Sequence, residues 1–384
     1  MFPKYLGDYY GSFVFEEVVK LVENENEIHV ITQHNSGIPY EEFMEGIHVH
    51  RFKWLKPKKF KALVHFTGFI DYLRLITYLF SLFFSLMILM KRYDFDVIHA
   101  HSVIPTGFIA SIVSKLFNKP LIITVHGMDI NNFLGNFLML KLIVFSLNLS
   151  NNIITVSKDL YEKIIQLGVD KDKIIILRNA IDIKRFKPKK NKQIRKKFKI
   201  DPEDKLILFV GYLDKFKGIF EVVESFNILK SKYKNLKLMF VGKGPKKMEI
   251  QKIVSKNKME DDVIFTGQVK PKKIQDYYQA ADFFVLPSYS EGGGPPLVVL
   301  EAMGCGIPVV VSDVGGIPEV LEDGKNCFLV PPQNIEILTE KLGKLIEDEE
   351  LSKKFSIKSV ELVRNYFDIN KKIIKLLKIY GETS

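Results

Sequence analysis

"DFFVLPSYSEGGGPPLVVLEAMGCGIPVVVSD", residues 282–313, sets an apolar run, three glycines, two prolines and two further apolar runs in one line. "DFFVLPS" reads as a buried strand, because it is short, apolar and rich in aromatic and β-branched residues. Pro295 and Pro296 suit the first turn of a helix, so "LVVLEAM" reads as helical, with Gly304 and Gly306 ending it before the strand "IPVVVSD". Strand, loop, helix and strand in this order make a unit of a parallel sheet, where ligands sit beyond the carboxyl ends of the strands. Gly292, Gly293 and Gly294 then let the backbone approach a ligand with no Cβ in the way. The N–H groups and positive dipole end of the helix face the same place, which suits an anion such as a diphosphate. Glu291 stands at the carboxyl end, and Glu301 lies one turn into the helix, where a carboxylate can accept from a vicinal diol such as ribose.

The same alternation runs through the chain. "EIHVIT", "DVIHAH", "PLIITVHG", "NIITVS" and "KIIILRN" form one set of strand-like runs, and "KLILFVG", "LKLMFVG", "DVIFTG", "DFFVLPS" and "IPVVVSD" another. Strands alternating with helical stretches predict an α/β protein of two doubly wound parallel-sheet domains with a cleft between them. The expected domains are 1–185 and 186–365, with 366–384 a helix packing back on the first. "KRFKPKKNKQIRKKFK", residues 184–199, carries ten basic residues and no acid, and reads as a solvated linker. The first domain lacks an opening strand: the loop-like "GDYYGS" begins at residue 7, which suggests a start further upstream.

Composition narrows the classes. A chain of 384 residues with 47% hydrophobic and 26% charged residues is globular and exceeds the usual size of one core. The net charge of +11 favours acidic partners, but no aromatic platform or groove-reading motif accompanies the basic run, so no nucleic-acid partner is expected. Only Cys305 and Cys327 occur, which fits a reducing compartment, and no cleavable signal is legible in the first residues. Leu75–Met90 is uncharged; 16 residues make a helix of roughly 24 Å, short of the roughly 30 Å hydrocarbon core, so a buried or interfacial helix is expected. Just before it, residues 50–66 interleave Arg51, Lys53, Lys56, Lys58, Lys59 and Lys61 with Phe52, Trp54, Leu55 and Phe60. That mixture suits an anionic membrane surface and predicts a cytoplasmic protein peripheral on the inner face of the cell membrane.

The run from Ser288 to "GKNCFLVPP" closely resembles the signature of family 4 retaining glycosyltransferases, which have the GT-B fold of two Rossmann-like domains. "YGSFVFEEVVKLV", "DFDVIHAHSVIPTGFIA", "ITVHGMD", "IITVSKDL", "ILRNAIDIKRFKP", "LFVGYLDKFKGIFEVVESF", "FVGKGP" and "FTGQV" extend the resemblance over nearly the whole chain. It implies transfer of a sugar from a nucleotide donor, such as a UDP- or GDP-sugar, with retention at the anomeric carbon and without a metal or other cofactor. The acceptor, a glycan or a lipid-linked molecule, would bind the first domain and the donor the second. By resemblance, Lys217 holds the pyrophosphate, Gly11 approaches the same phosphates, Glu301 binds ribose and Glu291 lies beside the donor sugar. His126 faces the sugar from the first domain, and Gly242, Gly244, Gly267 and Val269 line loops near the base.

Two positions depart from the family. Nine residues separate Glu291 from Glu301 where seven are usual, and Tyr212 stands where an arginine is common. Both would also suit a catalytically impaired protein that binds nucleotide sugars at a membrane surface. A nucleotide-sugar epimerase would share the fold but release free epimer. "DFD", residues 94–96, is explained by capping and solvation rather than a metal. "HVH" and "HAH" place two histidines each on one strand face, but no clustered carboxylate accompanies them in sequence, and no metal site is expected.

Overall fold

The computed structural model describes residues 2–8, 10–56 and 69–383. The chain divides into two compact units, residues 1–178 with 372–384, and residues 179–371.

The second unit is one six-stranded parallel sheet. Its strands are β8 (Lys205–Val210), β9 (Leu236–Val241), β10 (Val263–Gly267), β11 (Phe283–Leu286), β12 (Val309–Ser312) and β13 (Phe328–Val330), in the order β10-β9-β8-β11-β12-β13. This is the 3-2-1-4-5-6 order of dinucleotide-binding folds, which reverses direction between β8 and β11. The central strands β11 and β12 are buried at every position, as strands covered by helices on both faces must be. Their Phe, Val and Leu side chains join one continuous core with the helices Ile219–Lys232, Leu297–Gly304 and Ile335–Glu347.

Among the described residues the first unit holds two sheets. β4 (Ile98–His101), β5 (Leu121–Val125), β6 (Asn152–Thr155) and β7 (Ile174–Ile176) pair in parallel in that order. β1 (Ile28–Gln33) and β3 (Ile47–Phe52) pair in parallel, with β2 (Glu41–Met44) antiparallel at the edge. Among the described residues no strand precedes helix Ser12–Val22, and β1 and β4 each pair on one side only.

The C-terminal helix Ile369–Thr383 belongs to the first unit from Lys372 onward. Tyr380 Oη meets His99 Nδ1 at 2.6 Å, and Asn152 donates to Thr383 Oγ1 at 2.6 Å. The units divide at 178/179 rather than 185/186 because Ile181 is tied to the second: its N–H donates to Phe367 O at 2.9 Å and its carbonyl accepts from Ile369 N at 3.0 Å. Within the basic run only part is solvated, since Arg195 donates to Ala280 O at 2.9 Å and Asp282 Oδ2 at 3.1 Å.

Helix Phe69–Arg92 extends beyond the apolar run to 24 residues, about 36 Å at the usual rise. Among the described residues it is long and apolar enough to cross a membrane. Leu82, Leu86 and Met90 pack it onto Phe52, Ile109 and Val113, while Phe69, Leu73, Ile76, Phe80, Phe84 and Ile88 remain exposed. The basic–aromatic segment before it is less of a surface than its sequence suggests. Arg51 is buried and ion-paired with Glu42 at 2.7 Å, Phe52 is buried, and Trp54 donates to Gln33 Oε1 at 3.1 Å. Lys53, Leu55 and Lys56 are exposed, and Lys58, Lys59, Phe60 and Lys61 lie outside the described residues. Cys305 and Cys327 are free and buried.

Candidate active site

In the second unit the site is built where the strand order reverses. β8 leads through Tyr212, which is exposed, into a single turn at Lys215–Lys217 and then helix Ile219–Lys232. Gly218, with φ of 69°, joins turn and helix, and a Cβ there would lie 2.1 Å from Pro287 O. Only glycine lets the β8 loop come so close to the end of β11. Tyr289 N donates to Phe216 O at 2.9 Å and fastens the two loops together.

The consequence is a contact 74 residues long in sequence: Lys217 Nζ lies 2.6 Å from Glu291 Oε1, and the Glu291 side chain is only 11% exposed. Despite its nine-residue spacing, Glu291 therefore sits beside Lys217 at the switch point. Gly316 N donates to Gly293 O at 3.0 Å, so the loop after β12 braces the glycine run. Helix Leu297–Gly304 starts directly behind that run, and no side chain caps it at Pro296.

Glu301 is further inside. Tyr278 Oη donates to Glu301 Oε2 at 2.7 Å, and Tyr278 is fully buried. Burial first, and the Glu301 carboxylate second, push the Tyr278 phenol well above its ordinary range, so it stays a donor. One Glu301 oxygen is thus already oriented by the protein. Nothing in "QDYYQA" marks Tyr278 for this role; the partnership arises only when the segment after β10 packs beside the helix.

The remaining predicted residues of this unit divide. Cβ atoms on Gly242 and Gly244 would collide with the carbonyls of Gly211 and Leu213, at 1.9 and 2.2 Å, so these glycines serve the packing of the β9 loop on the β8 loop. Gly267 has open space where a Cβ would point, and Val269 packs half-buried against the core.

In the first unit, Gly11 takes a left-handed conformation, φ 72°, and starts helix Ser12–Val22. His126 follows β5 directly. Asp129 fixes its loop: Oδ1 accepts from His126 N at 3.2 Å and Gly127 N at 2.8 Å, and Oδ2 from Val103 N at 3.0 Å. Burial raises the Asp129 carboxyl, against the pull of those N–H groups. The aspartate of "VHGMD" was available in sequence as the residue able to close that turn on its own backbone.

Around His126 lies a network that no local pattern announces. His126 Nε2 is 3.1 Å from His101 Nδ1, and Phe13 from the Gly11 helix meets the His126 ring edge-on at 5.2 Å between centroids. His101 Nε2 lies 3.7 Å from Glu17 Oε1, and Glu17 Oε2 is ion-paired with Lys372 of the C-terminal helix. His99 is held at both nitrogens, Nδ1 by Tyr380 and Nε2 at 2.7 Å by Thr124 Oγ1. Burial, then the Lys372 ammonium, depress His126 to about 3; burial depresses His99 to about 4 against the pull of Glu17, and His101 well below its ordinary value. Burial, the largest single influence, works to raise Glu17, but Lys372 together with the neighbouring His99 and His126 outweighs it and the carboxyl stays below its ordinary value.

All three imidazoles are therefore neutral near pH 7, and what matters is which nitrogen carries the proton. The Glu17 carboxylate favours the proton of His101 on Nε2. Nδ1 is then an acceptor, His126 donates from Nε2, and His126 Nδ1 keeps its lone pair.

A family model for group 1 glycosyl transferases matches residues 190–361, and one for glycosyltransferase family 4 matches residues 11–185. The chain is 33% identical over 291 residues to TuaC of Bacillus subtilis strain 168, a glycosyltransferase named for teichuronic acid biosynthesis, covering 73% of this chain and 70% of that one. Among solved structures it is similar to sucrose-phosphate synthase from Thermosynechococcus elongatus, with a TM-score of 0.80 at 21% identity over 97% of this chain and 93% of that chain. It is also similar to HepE of Anabaena in complex with UDP-glucose, with a TM-score of 0.70 at 19% identity over 92% of this chain and 100% of that chain. Both structural likenesses concern the fold.

Proposed function

Because the chain belongs to the group 1, family 4 glycosyltransferases and has their GT-B fold, we propose that it transfers a sugar from a UDP- or GDP-sugar to a glycan or lipid-linked acceptor, with retention and without a metal, at the inner face of the cell membrane. The observation that carries the reading is the Lys217–Glu291 pair at the reversal of strand order, beside a glycine run and a helix start.

In this reading the diphosphate of the donor lies against that helix start. A nucleoside diphosphate is already a competent leaving group, so it needs positive charge and N–H donors on its oxygens more than a strong general acid. The Lys217 ammonium has three N–H donors and can hold Glu291 with one and phosphate oxygens with the others. Its charge serves where another enzyme would place a divalent cation. Glu301, oriented by Tyr278, accepts from the ribose hydroxyls, and Glu291 from the donor sugar. His126, neutral and with its proton on Nε2, accepts a hydrogen bond from a sugar hydroxyl at Nδ1. The complex of HepE with UDP-glucose supports a nucleotide sugar as the donor class.

The exposed row on helix Phe69–Arg92, with Lys53 and Lys56 before it, supports a membrane surface as the place of work. Screening nucleoside diphosphate release across UDP- and GDP-sugars, with and without a membrane lipid extract as acceptor, tests the proposal. Binding without turnover of any donor would favour the impaired, ligand-binding reading instead.

A further inference from the structure

The two His-x-His runs meet carboxylates through the fold, not through sequence, and they meet different surroundings. His99 and His101 have donor atoms within 4.8 Å of Glu17. There the Lys372 ammonium is already ion-paired with the carboxylate, and both His99 nitrogens are engaged. A cation built into the chain faces that cluster.

His48 belongs to the second cluster. β1 and β3 pair with His29 opposite His48, so the two rings share a sheet face and stack at 4.5 Å between centroids, 16° from parallel. Glu27, just before β1, has an oxygen 3.0 Å from His29 Nε2, and one donor atom from each of Glu27, His29 and His48 lies within 4.8 Å of the others. Among the described residues no lysine or arginine is ion-paired with Glu27. Behind His29, Nδ1 is 3.0 Å from His50 Nε2, and His50 Nδ1 faces Glu41 Oε1 at 3.4 Å. That His50 nitrogen is buried and has no hydrogen-bond partner.

We propose that Glu27, His29 and His48 form a binding site for a divalent first-row transition ion of the Zn2+ type, with His50 and Glu41 as outer partners. One carboxylate and two imidazoles are a donor set that such ions take, with water completing four-coordination. A tetrahedron with bonds of about 2.0–2.1 Å has donor atoms roughly 3.3 Å apart, so side-chain rotation suffices to close the cluster. The His29 side chain is 3% exposed, which limits the entropy it loses on binding.

The hydrogen-bond chain also fits. Without the ion, His29 donates from Nε2 to Glu27 and accepts at Nδ1 from His50 Nε2, which strands His50 Nδ1. With the ion on His29 Nε2, the His29 proton sits on Nδ1 and is donated to His50 Nε2, and the His50 proton moves to Nδ1, toward Glu41. Each ring keeps one proton, and the stranded nitrogen gains its partner. A ligating histidine is usually oriented by a partner that accepts its other N–H, and here that partner is His50, backed by Glu41.

The cluster lies near the amino ends of β1 and β3, whereas His101 and His126 stand at the carboxyl ends of β4 and β5. The ion would brace the small sheet, and the proposal is independent of glycosyl transfer. Titrating the chelator-treated full chain with Co2+, followed by its visible bands, and with Zn2+ by calorimetry is the test. One equivalent should bind, with the intense visible bands of a low-coordinate Co2+ site and a rise in melting temperature on adding Zn2+. Glu27 is exposed, so Glu27→Gln should keep the ion-free melting temperature yet lose affinity roughly tenfold or more, as should His48→Ala. No stoichiometric binding by the unaltered chain, or undiminished affinity in both variants, overturns the site.

Discussion

Lys217 Nζ lies 2.6 Å from Glu291 Oε1, so a lysine after β8 and a glutamate after β11 form one unit at the point where the sheet reverses its order. Charge on the departing oxygens grows as the glycosidic bond breaks, and the ammonium stabilises that charge more than the bound donor. Lys217→Ala should lower turnover by on the order of a hundredfold or more, with a smaller change in donor affinity. Tyr212→Arg in the same chain should restore part of the rate, because it puts a cation where the family resemblance leads one to expect an arginine. A near-normal rate in Lys217→Ala would refute the assignment.

Glu291 and Glu301 should separate by ligand. Glu301→Gln weakens both donor and free nucleoside diphosphate, by about 1.5–3 kcal/mol, because ribose is common to the two. Tyr278→Phe removes the donor that orients Glu301 and should weaken the same two ligands to a lesser degree. Glu291→Ala spares the free nucleotide and damages turnover. Calorimetry and steady-state rates on the folded variants check the set; unchanged nucleotide affinity in Glu301→Gln contradicts the ribose role.

Acid should loosen the first unit before the second. His99 and His126 are depressed to about 4 and about 3 from 6.5, so the unfolded chain binds their protons more readily than the folded one. Their contribution to stability is complete above pH about 6.5 and is lost as pH falls toward those folded values. Glu17, held below its ordinary value beside Lys372, adds in the same direction, whereas Asp129, raised by burial, works against it. Melting temperature should fall between pH 7.5 and pH 5.5, and the fall should be shallower in His126→Gln. An unchanged slope in that variant speaks against a buried neutral His126.

The tautomer of His126 gives a test that activity cannot imitate. Nitrogen-15 NMR of the imidazoles should show His126 protonated at Nε2, and Glu17→Gln should mix the two tautomers while leaving the protein folded. Protonation at Nδ1 in the unaltered chain contradicts the order Glu17, His101, His126.

Membrane attachment rests on the row Phe80, Phe84 and Ile88 and on the lysines before the helix. Vesicle flotation should recover the protein with anionic and not with neutral lipids, and changing all three apolar residues to serine should abolish recovery. Equal behaviour with both lipids, or failure to bind either, contradicts peripheral attachment; resistance to high salt would point to a spanning helix instead.

What was legible in the sequence was what depends on local pattern. Ten apolar runs announce β1 and β4 to β12, because strands buried on both faces are nearly all apolar. β2, "EEFM", is short, polar and antiparallel at an edge, and β13 has three residues, so neither makes a run of readable length. The glycine loop with its helix start is equally local. The Lys217–Glu291 contact, the Tyr278 hydroxyl on Glu301 and the Lys372–Glu17 pair are not, since each joins residues from separate elements and exists only after packing. Arg51 and Phe52 show the converse. A basic–aromatic alternation reads as surface, but here it is the end of β3, and the arginine is buried because Glu42 on the neighbouring strand neutralises it.

Stereochemistry tests the central claim most directly. The chain would be incubated in EDTA with the donor that supports nucleoside diphosphate release, and the anomeric configuration of the glycosylated product read by proton NMR. A product with the donor's own configuration, formed at an EDTA-insensitive rate, is the predicted result; an inverted product, a free epimer, or a reaction abolished by EDTA while the protein stays folded would contradict it.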